Sequence, residues 1–585
     1  MKKNLILPAF TLGALLGVGA CSDLEVENRN TPDKTRALAA PDDVETLIAS
    51  SYVQVFAIGH YYNNASFSHV HMANRHTATW GNMGLNDLGR EPREPLPNTP
   101  SYRWSYVFEA NWGDAYRGIS GASDGITSIN NGVMIGEGGE RNGRAKAFGK
   151  GVQGILHCLV GLWYDKGYVI DESIDLSTAE LETVDYNGMV AAGIERIDQS
   201  IQMSRSEPFD LDPAWVGPNT PWSSSDWADY LTAWKARCRA NAPRSDAEAN
   251  SADWGSIMAD ASSGNFAVNL CCPRWDDTGP WWDGLKTYAV EENTWHRMHM
   301  DWLGMADTSG QYLDWLSFPT EQRTPRLMSF GADQRFPAEN IDFAQGVTAW
   351  TDVSRSNTTH RFRTTTPFRP ERGTYRQSHY ADKRHEGRYF NPADWGSSGG
   401  EYGIDHMSLD ERDLYIAEGR FRTGDYGGAA AIVNMYRTAA GLPPAPANAT
   451  DAVPGTSGAG GDCIPKKRYD VQGRCGNLRD ALIFEHFENV FHIFGGLEFW
   501  HGRRFDILPQ NTAIHLPIPA SDLEVLEQDV YTFGGGGEGS APNPIPGAAI
   551  DPLTLSLQRV AISLERLQER HRELQAIKNS PMVVR

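Results

Sequence analysis

From Ala145 to Trp163 the apolar residues Phe148, Val152, Ile155, Leu159 and Leu162 recur at steps of 4, 3, 4 and 3, which places them on one helix face. After the polar break Asp165-Lys166-Gly167, Val190, Ile194, Ile197 and Ile201 repeat the stepping, with Gly188, Ala191 and Gly193 small enough for close helix approach. A second pair has Trp227, Leu231, Trp234 and Cys238 behind the cap candidate Ser225, then Trp254, Ile257, Met258 and Ala261 beyond a polar turn. A third has Leu414, Ala417 and Phe421 before the turn Gly424-Asp425, and Ala429, Ile432, Val433 and Tyr436 after it. Helical hairpins with small residues at their crossings are the composition of tetratricopeptide-type repeats, which bury their faces by stacking. Near the C-terminus Leu553, Leu557, Val560, Leu564, Leu567, His571 and Leu574 step by 4 and 3 alternately. This amphipathic helix is expected to pack on its own domain, since three heptads are short for a coiled coil.

Residues 271–404 follow another pattern. Trp275, Trp281, Trp282, Trp295, Trp302, Trp315, Trp350 and Trp395 are interrupted by Pro, Gly and Asp, with helical spacing only near Trp295 to Trp302. Long ordered loops of this kind carry function more often than packing. Gly455 to Gly461 and Gly534 to Gly539 read as flexible connectors.

The N-terminus sets the compartment. Lys2 and Lys3 precede an apolar run from Leu5 to Leu16, too short to span a bilayer, and Val18-Gly19-Ala20-Cys21 has the form of a bacterial lipobox. Cys21 is then the lipid attachment point, and Ser22 lacks the aspartate that often retains lipoproteins at the inner membrane. The polar stretch Ser22 to Pro41 reads as a tether, with ordered sequence starting near Val44. The 585-residue chain carries a formal net charge of −21, which argues against nucleic-acid binding.

Beyond Cys21, six cysteines remain, and in an oxidising compartment they permit disulfides. Cys463 and Cys475 flank a basic, Gly-containing loop and are the expected local staple; two free thiols are the alternative. Zinc spacing is lacking, no metal or other cofactor is expected, and no catalytic residue is assigned. Gly121-Ala122-Ser123-Asp124-Gly125 fits the nucleophile-elbow pattern, but the residues before it read as helix instead of a buried strand. His69, His71 and His76 with Asn74, and His296 with His299, are read as surface histidines in preference to metal ligands. Acid pairs such as Asp276-Asp277 and Glu291-Glu292 leave a glycoside hydrolase open, because sequence does not give the carboxyl separation that chemistry needs.

Tryptophan in loops is the informative signal, because sugar rings stack their C–H faces on aromatic rings while amides, carboxylates and guanidiniums meet the hydroxyls. Trp80 with Asn82, Asn86, Asp87 and Arg90, and Trp281-Trp282 with Asp283, have that mixture. The candidate ligand residues are therefore Trp80, Asn82, Arg90, Trp281, Trp282 and Asp283.

Four stretches, in order, resemble the SusD/RagB family of outer-membrane nutrient-uptake lipoproteins. Cys21-Ser22-Asp23-Leu24 with Asn28, Asn30 and Pro32 is similar to the family tether, and Ala145 to Tyr168 to its helix ending in a tyrosine-glycine-aspartate turn. Glu411 to Pro443 is similar to its best-marked repeat, and His515-Leu516-Pro517-Ile518-Pro519 with Asp522-Leu523 to its late proline-isoleucine-proline element. Where the family has a glutamate–arginine pair on a C-terminal helix this chain has Glu485-His486, and a later arginine run reads His501-Gly502-Arg503-Arg504, which implies loss of a structural ion pair. The resemblance implies a mostly α, SusD-like fold of tetratricopeptide-type hairpins with a large loop-rich aromatic region. It also implies a lipid-anchored, outward-facing protein that binds a nutrient polymer and delivers it to a TonB-dependent SusC-like transporter, without enzymatic chemistry. We take the nutrient to be a glycan; a surface-anchored glycoside hydrolase and a helical-repeat scaffold without a small ligand are the alternatives.

The expected organisation is a signal peptide (1–20), anchor and tether (21–43), helical hairpins (44–270), the loop-rich aromatic region (271–404) and the third hairpin (405–445). A Gly-rich connector (446–476), a C-terminal SusD-like region (477–533), a Gly/Pro linker (534–550) and the amphipathic helix (551–578) complete it.

Overall fold

Three short helices, α1 (Pro41–Ser50), α2 (Tyr52–His60) and α3 (Ala65–Met72), pack against the long helix α4 (Tyr106–Asn130) in the computed structural model. It describes residues 38–536 except 177, 218–220, 271–280, 282, 287–296, 320–321, 337–358, 363–375, 383, 385–403 and 457–461. Pro41, at the end of the stretch read as a tether, opens α1 with its fixed φ, and Asp42 and Asp43 complement the helix N-terminus. The lipobox, most of the tether and the 551–578 helix lie outside the described residues, as do Cys271 and Cys272.

The three periodic pairs among the described residues form helices where their stepping places them. α5 (Asn142–Trp163) and α6 (Tyr186–Ser206) are the first hairpin, and they touch backbone to backbone. A Cβ on Gly193 would lie 2.6 Å from the Gly154 carbonyl oxygen, and one on Gly154 would lie 2.7 Å from that of Gly193. Gly188 sits instead against Val184 before the crossing, and Ala191 faces solvent.

In the second hairpin, α7 (Ser224–Asn241) and α8 (Trp254–Ser263) flank a polar turn that holds a further short helix, Asp246–Ser251. The cap of α7 is Ser223, not Ser225. Ser223 is extended (φ −71°, ψ 164°) and exchanges hydrogen bonds with Asp226 in a capping box, while Ser225 already lies inside the first turn. The third hairpin is α9 (Leu409–Arg422) and α10 (Tyr426–Ala439), joined where Gly424 takes φ +86° and Asp425 accepts the Gly428 amide at 2.9 Å. Helices α5 to α10 pack in succession, each burying the face its neighbour leaves open.

α11 (Leu478–Asn489) and α12 (Leu497–Arg504) close the stack, α11 packing on α9 and α10. The ion pair expected to be missing here is supplied by distant partners: Glu485 pairs with Arg335 at 2.5 Å and Arg504 with Glu418 at 2.9 Å. His486, which stands in for the arginine, stacks on His501 with ring centroids 3.8 Å apart. Leu516 then exchanges hydrogen bonds with Trp163 and Asp165, so the Pro517-Ile518-Pro519 element is sewn to the end of α5 before α13 (Ala520–Val525).

The strands among the described residues form five two-stranded antiparallel ribbons, so the fold is mostly α. Cys463 and Cys475 form a disulfide with Cα atoms 5.7 Å apart, and Cys158 and Cys238 are buried thiols. The described glycines of the late connector, Gly534 to Gly536, are packed against Glu94, Pro95, Asn511 and Ala513. The histidines read as surface groups are in the core: His69, His71, His76 and His299 are each buried. Aromatic neighbours explain the tolerance, because a neutral imidazole packs as a small aromatic ring; His69 lies 4.4 Å from Trp163 and 4.6 Å from Phe499 between centroids. No helix among the described residues is long and apolar enough to cross a membrane.

Candidate ligand-binding face

Between the short strand His76–Thr77 and α4 the chain has only two brief helical turns, Asn82–Gly84 and Leu85–Gly89, so aromatic side chains here have no long helix face to bury. Met83 (φ 54°) and Gly84 (φ 67°) turn the backbone sharply after Trp80, and the Trp80 carbonyl accepts the Asn86 amide at 3.2 Å. Trp80 and Asn82 are both half-buried.

Tyr102, Trp104 and Tyr106 lead into α4 at alternate positions and are half-buried as well. The Tyr102 hydroxyl donates to Asp87 at 3.0 Å, and its ring stacks on Phe108 with centroids 6.1 Å apart. Burial, then the Asp87 carboxylate, pushes the Tyr102 phenol up, so it stays a neutral donor. Trp104 meets Tyr106 edge to face at 6.0 Å, and the Arg103 guanidinium lies over the Trp104 ring at 4.5 Å.

Beyond α2, Tyr62 and Trp281 are half-buried as well. Tyr62 adjoins Tyr106, and its ring closes over Gly284, where a Cβ would come within 2.8 Å. Trp281 rests edge-on against Phe56 at 5.2 Å and near Tyr52 at 6.3 Å. Half-buried rings thus come from three separate segments, at 61–62, 80–106 and 281.

At Arg90 lies a recess of about 150 Å³ lined by Asp87, Leu88, Arg90, Arg93, Tyr102 and Asn511 among others. That is below the roughly 300–1,000 Å³ of a closed small-molecule pocket, so a ligand would lie across it. Arg90 is exposed and pairs with Glu94, whereas Arg93 is built into the wall and donates to the Leu88 and Met72 carbonyls and to Asn74. A larger hollow of about 720 Å³ opens between α6, α7 and α8, but Tyr186 is the one aromatic ring among its lining residues.

The residues singled out from sequence thus separate. Arg90 lines the recess, Trp80 and Asn82 are half-buried in the segment just before it, and Trp281 is half-buried in a separate segment. Trp282 lies outside the described residues. Asp283 is fully enclosed: Lys286 holds it at 2.8 Å and His60 at 3.0 Å, so its carboxylate faces the interior. Tyr61, Tyr62, Tyr102, Trp104 and Tyr106 were missed, although aromatic residues at 102, 104 and 106, just before a helix, are visible in the sequence as an alternation.

Two groups suited to chemistry are engaged internally, while Asp276, Asp277, Glu291, Glu292 and His296 lie outside the described residues. Ser123 of the G-x-S-x-G match lies inside α4 and donates to the Ile119 carbonyl at 2.7 Å, so the elbow geometry is absent at this serine. Glu91, His299 and Asp301 bring ligand-type atoms within 4.8 Å of one another. Asn74 already donates to both carboxylates, at 2.6 and 2.9 Å, and the Asp301 amide donates to His299 Nδ1 at 3.1 Å. Arg93, Arg376 and Arg468 surround the same groups, a positive setting that opposes a divalent cation. Burial, then Glu91, raises the Asp301 carboxyl to about 6.

No family model matches the chain, and no curated protein does. Several solved structures similar to it are SusD superfamily or SusD-like proteins. A SusD-like protein from Bacteroides fragilis is 12% identical, with 85% of this chain and 98% of that chain covered, at a TM-score of 0.49. A SusD homologue from Bacteroides thetaiotaomicron is 10% identical over 86% and 99% of the two chains, at 0.49. Surface glycan-binding protein A from Bacteroides uniformis is 13% identical over 84% and 99%, at 0.44.

Proposed function

We propose that this protein is a lipid-anchored, outward-facing outer-membrane protein that binds a glycan along its aromatic border and hands it to a TonB-dependent SusC-like transporter. The observation that carries the binding half is the set of half-buried rings, Tyr62, Trp80, Tyr102, Trp104 and Tyr106, in segments that also carry Asn82, Asp87 and Arg90. Rings half out of water offer a face for a sugar while the other face is held by the core. The lipobox at Cys21 supports the anchor, and the resemblance of Glu411 to Pro443 supports the family role. Function is then capture and transfer, with specificity set by which hydroxyls the polar groups meet.

The test is affinity electrophoresis and calorimetry against a panel of plant, host and microbial polysaccharides. Wild type should bind at least one polymer, and Trp80→Ala, Tyr102→Ala and Trp104→Ala should each weaken it by about 2 kcal/mol or more if they are hot spots, with thermal stability little changed. Cys21→Ser should leave the outer-membrane fraction. Normal binding by all three variants sinks the aromatic border, and release of reducing ends by the wild type would favour the hydrolase alternative.

A further inference from the structure

Two free thiols stand among the described residues, Cys158 on α5 and Cys238 on α7, and both are fully buried. The packing of the helices sets them opposite each other. A Cβ on Gly151 of α5 would lie 2.6 Å from the Trp227 ring and 3.0 Å from Leu231, both on α7. At the other end Arg244, three residues past α7, donates to the Leu162 and Tyr164 carbonyls at 3.2 and 3.1 Å. The two helices therefore run parallel, with Gly151 level with Leu231. Seven residues further along each, two turns on, stand Cys158 and Cys238.

α6 completes the junction. A Cβ on Gly193 would lie 2.7 Å from the Cys158 sulfur, and the Cys158 thiol faces the Val190 carbonyl at 3.9 Å. The missing side chain of Gly193 thus makes room for the sulfur. Burial, then a hydrogen bond with the Cys238 thiol, raises the Cys158 thiol well above its ordinary value, so it is not a thiolate in the folded core.

We infer that Cys158 and Cys238 are joined in the exported protein by a second disulfide, which ties α5 to α7 and encloses α6. One cysteine alone packs as a small apolar residue; two that converge from different hairpins in a compartment that oxidises thiols can bond. The compartment rests on the lipobox reading, whereas the pairing stands on the helix register. The oxidant is itself a disulfide. One cysteine thiolate attacks it, forming a mixed disulfide and releasing one oxidant thiolate; the other attacks the protein sulfur of that mixed disulfide, forms the Cys158–Cys238 bond and releases the second oxidant thiolate. The cysteines lose two electrons and two protons, and the oxidant's disulfide becomes two thiols. Because the folded core shields both sulfurs, exchange precedes the closing of the hairpins, and a reductant reaches the finished bond only when they open.

The experiment takes the full-length protein, purified without reductant from cells that export it, denatures it in iodoacetamide and maps its peptides by mass spectrometry. The expected result is Cys158 joined to Cys238 in most molecules, a link that dithiothreitol removes, beside the Cys463–Cys475 pair. In urea, dithiothreitol should lower the midpoint of wild type by more than that of Cys158→Ala/Cys238→Ala, which keeps the local disulfide. Alkylation of both thiols in wild type overturns the assignment, as does a link from either to Cys271 or Cys272. An equal response of the two midpoints to dithiothreitol overturns it as well. The peptide map needs no variant, so it decides even where the double variant fails to fold.

Discussion

Asp283 shows how far a residue's neighbours in sequence differ from its neighbours in space. Beside Trp281 and Trp282 it has the composition of a sugar site, yet it heads a buried hydrogen-bonded chain. Lys286 and His60 hold its carboxylate, His60 Nε2 meets His406 Nδ1 at 2.8 Å, His406 Nε2 meets the Tyr230 hydroxyl at 2.8 Å, and Tyr230 meets Tyr52. Burial would raise the Asp283 carboxyl, but Lys286 and then His60 outweigh it and hold the group well below its ordinary value. Asp283→Ala should therefore act on stability, leaving the Lys286 ammonium uncompensated at a cost of about 3–5 kcal/mol. Thermal and urea denaturation check this; a variant as stable as wild type that loses glycan binding would return Asp283 to the ligand face. The partner His60 is 223 residues away, a distance that no local pattern reveals.

At the scale of elements, the periodic helices were legible because burial of one face imposes the 3.6-residue period on the sequence itself. Small residues were legible too, and the structure shows what each does. Gly193 and Gly154 let α5 and α6 meet at their backbones, so Gly193→Val must push two main chains apart and should cost more than the roughly 1–3 kcal/mol of ordinary overpacking. Ala429, fully buried where α10 packs on α9, should cost about 1–3 kcal/mol as Trp. Denaturation midpoints for the two variants test the hairpins, and no change in either would refute the packing. The caps were less legible. Ser223 and Ser225 have the same side chain, and only the extended backbone at Ser223 makes it the cap.

Across the whole molecule, buried neutral imidazoles tie stability to pH. Burial lowers His60 to about 4 and His69 and His157 to about 3, and it also lowers His71, His299, His406, His486, His501 and His515. Below about pH 6.5 the unfolded chain takes up protons that these folded-state groups refuse, so stability present above pH 6.5 is lost as pH falls toward 4. Each such group contributes about 1.4 kcal/mol per pH unit inside its window. Carboxyls that burial raises oppose them by binding protons in the folded state, most strongly Asp165 and Asp301, raised to about 6, and Glu498, raised to about 7. The imidazoles are more numerous, so the urea midpoint should fall steadily from pH 7 to pH 4.5. A midpoint that is flat or rises over that range would show that the carboxyls win.

By itself the sequence determined the repeating helical hairpins, the turn at Gly424-Asp425 and the acidic net charge, because each depends on residues close in the chain or on composition. Only the tertiary structure decided which aromatic residues are half in water, that the histidines near Asn74 are interior, that Glu485 finds Arg335, and that Asp283 is enclosed. Those outcomes depend on contacts between segments tens to hundreds of residues apart, where burial and the pairing of charges are properties of the packed chain and leave no local period to read.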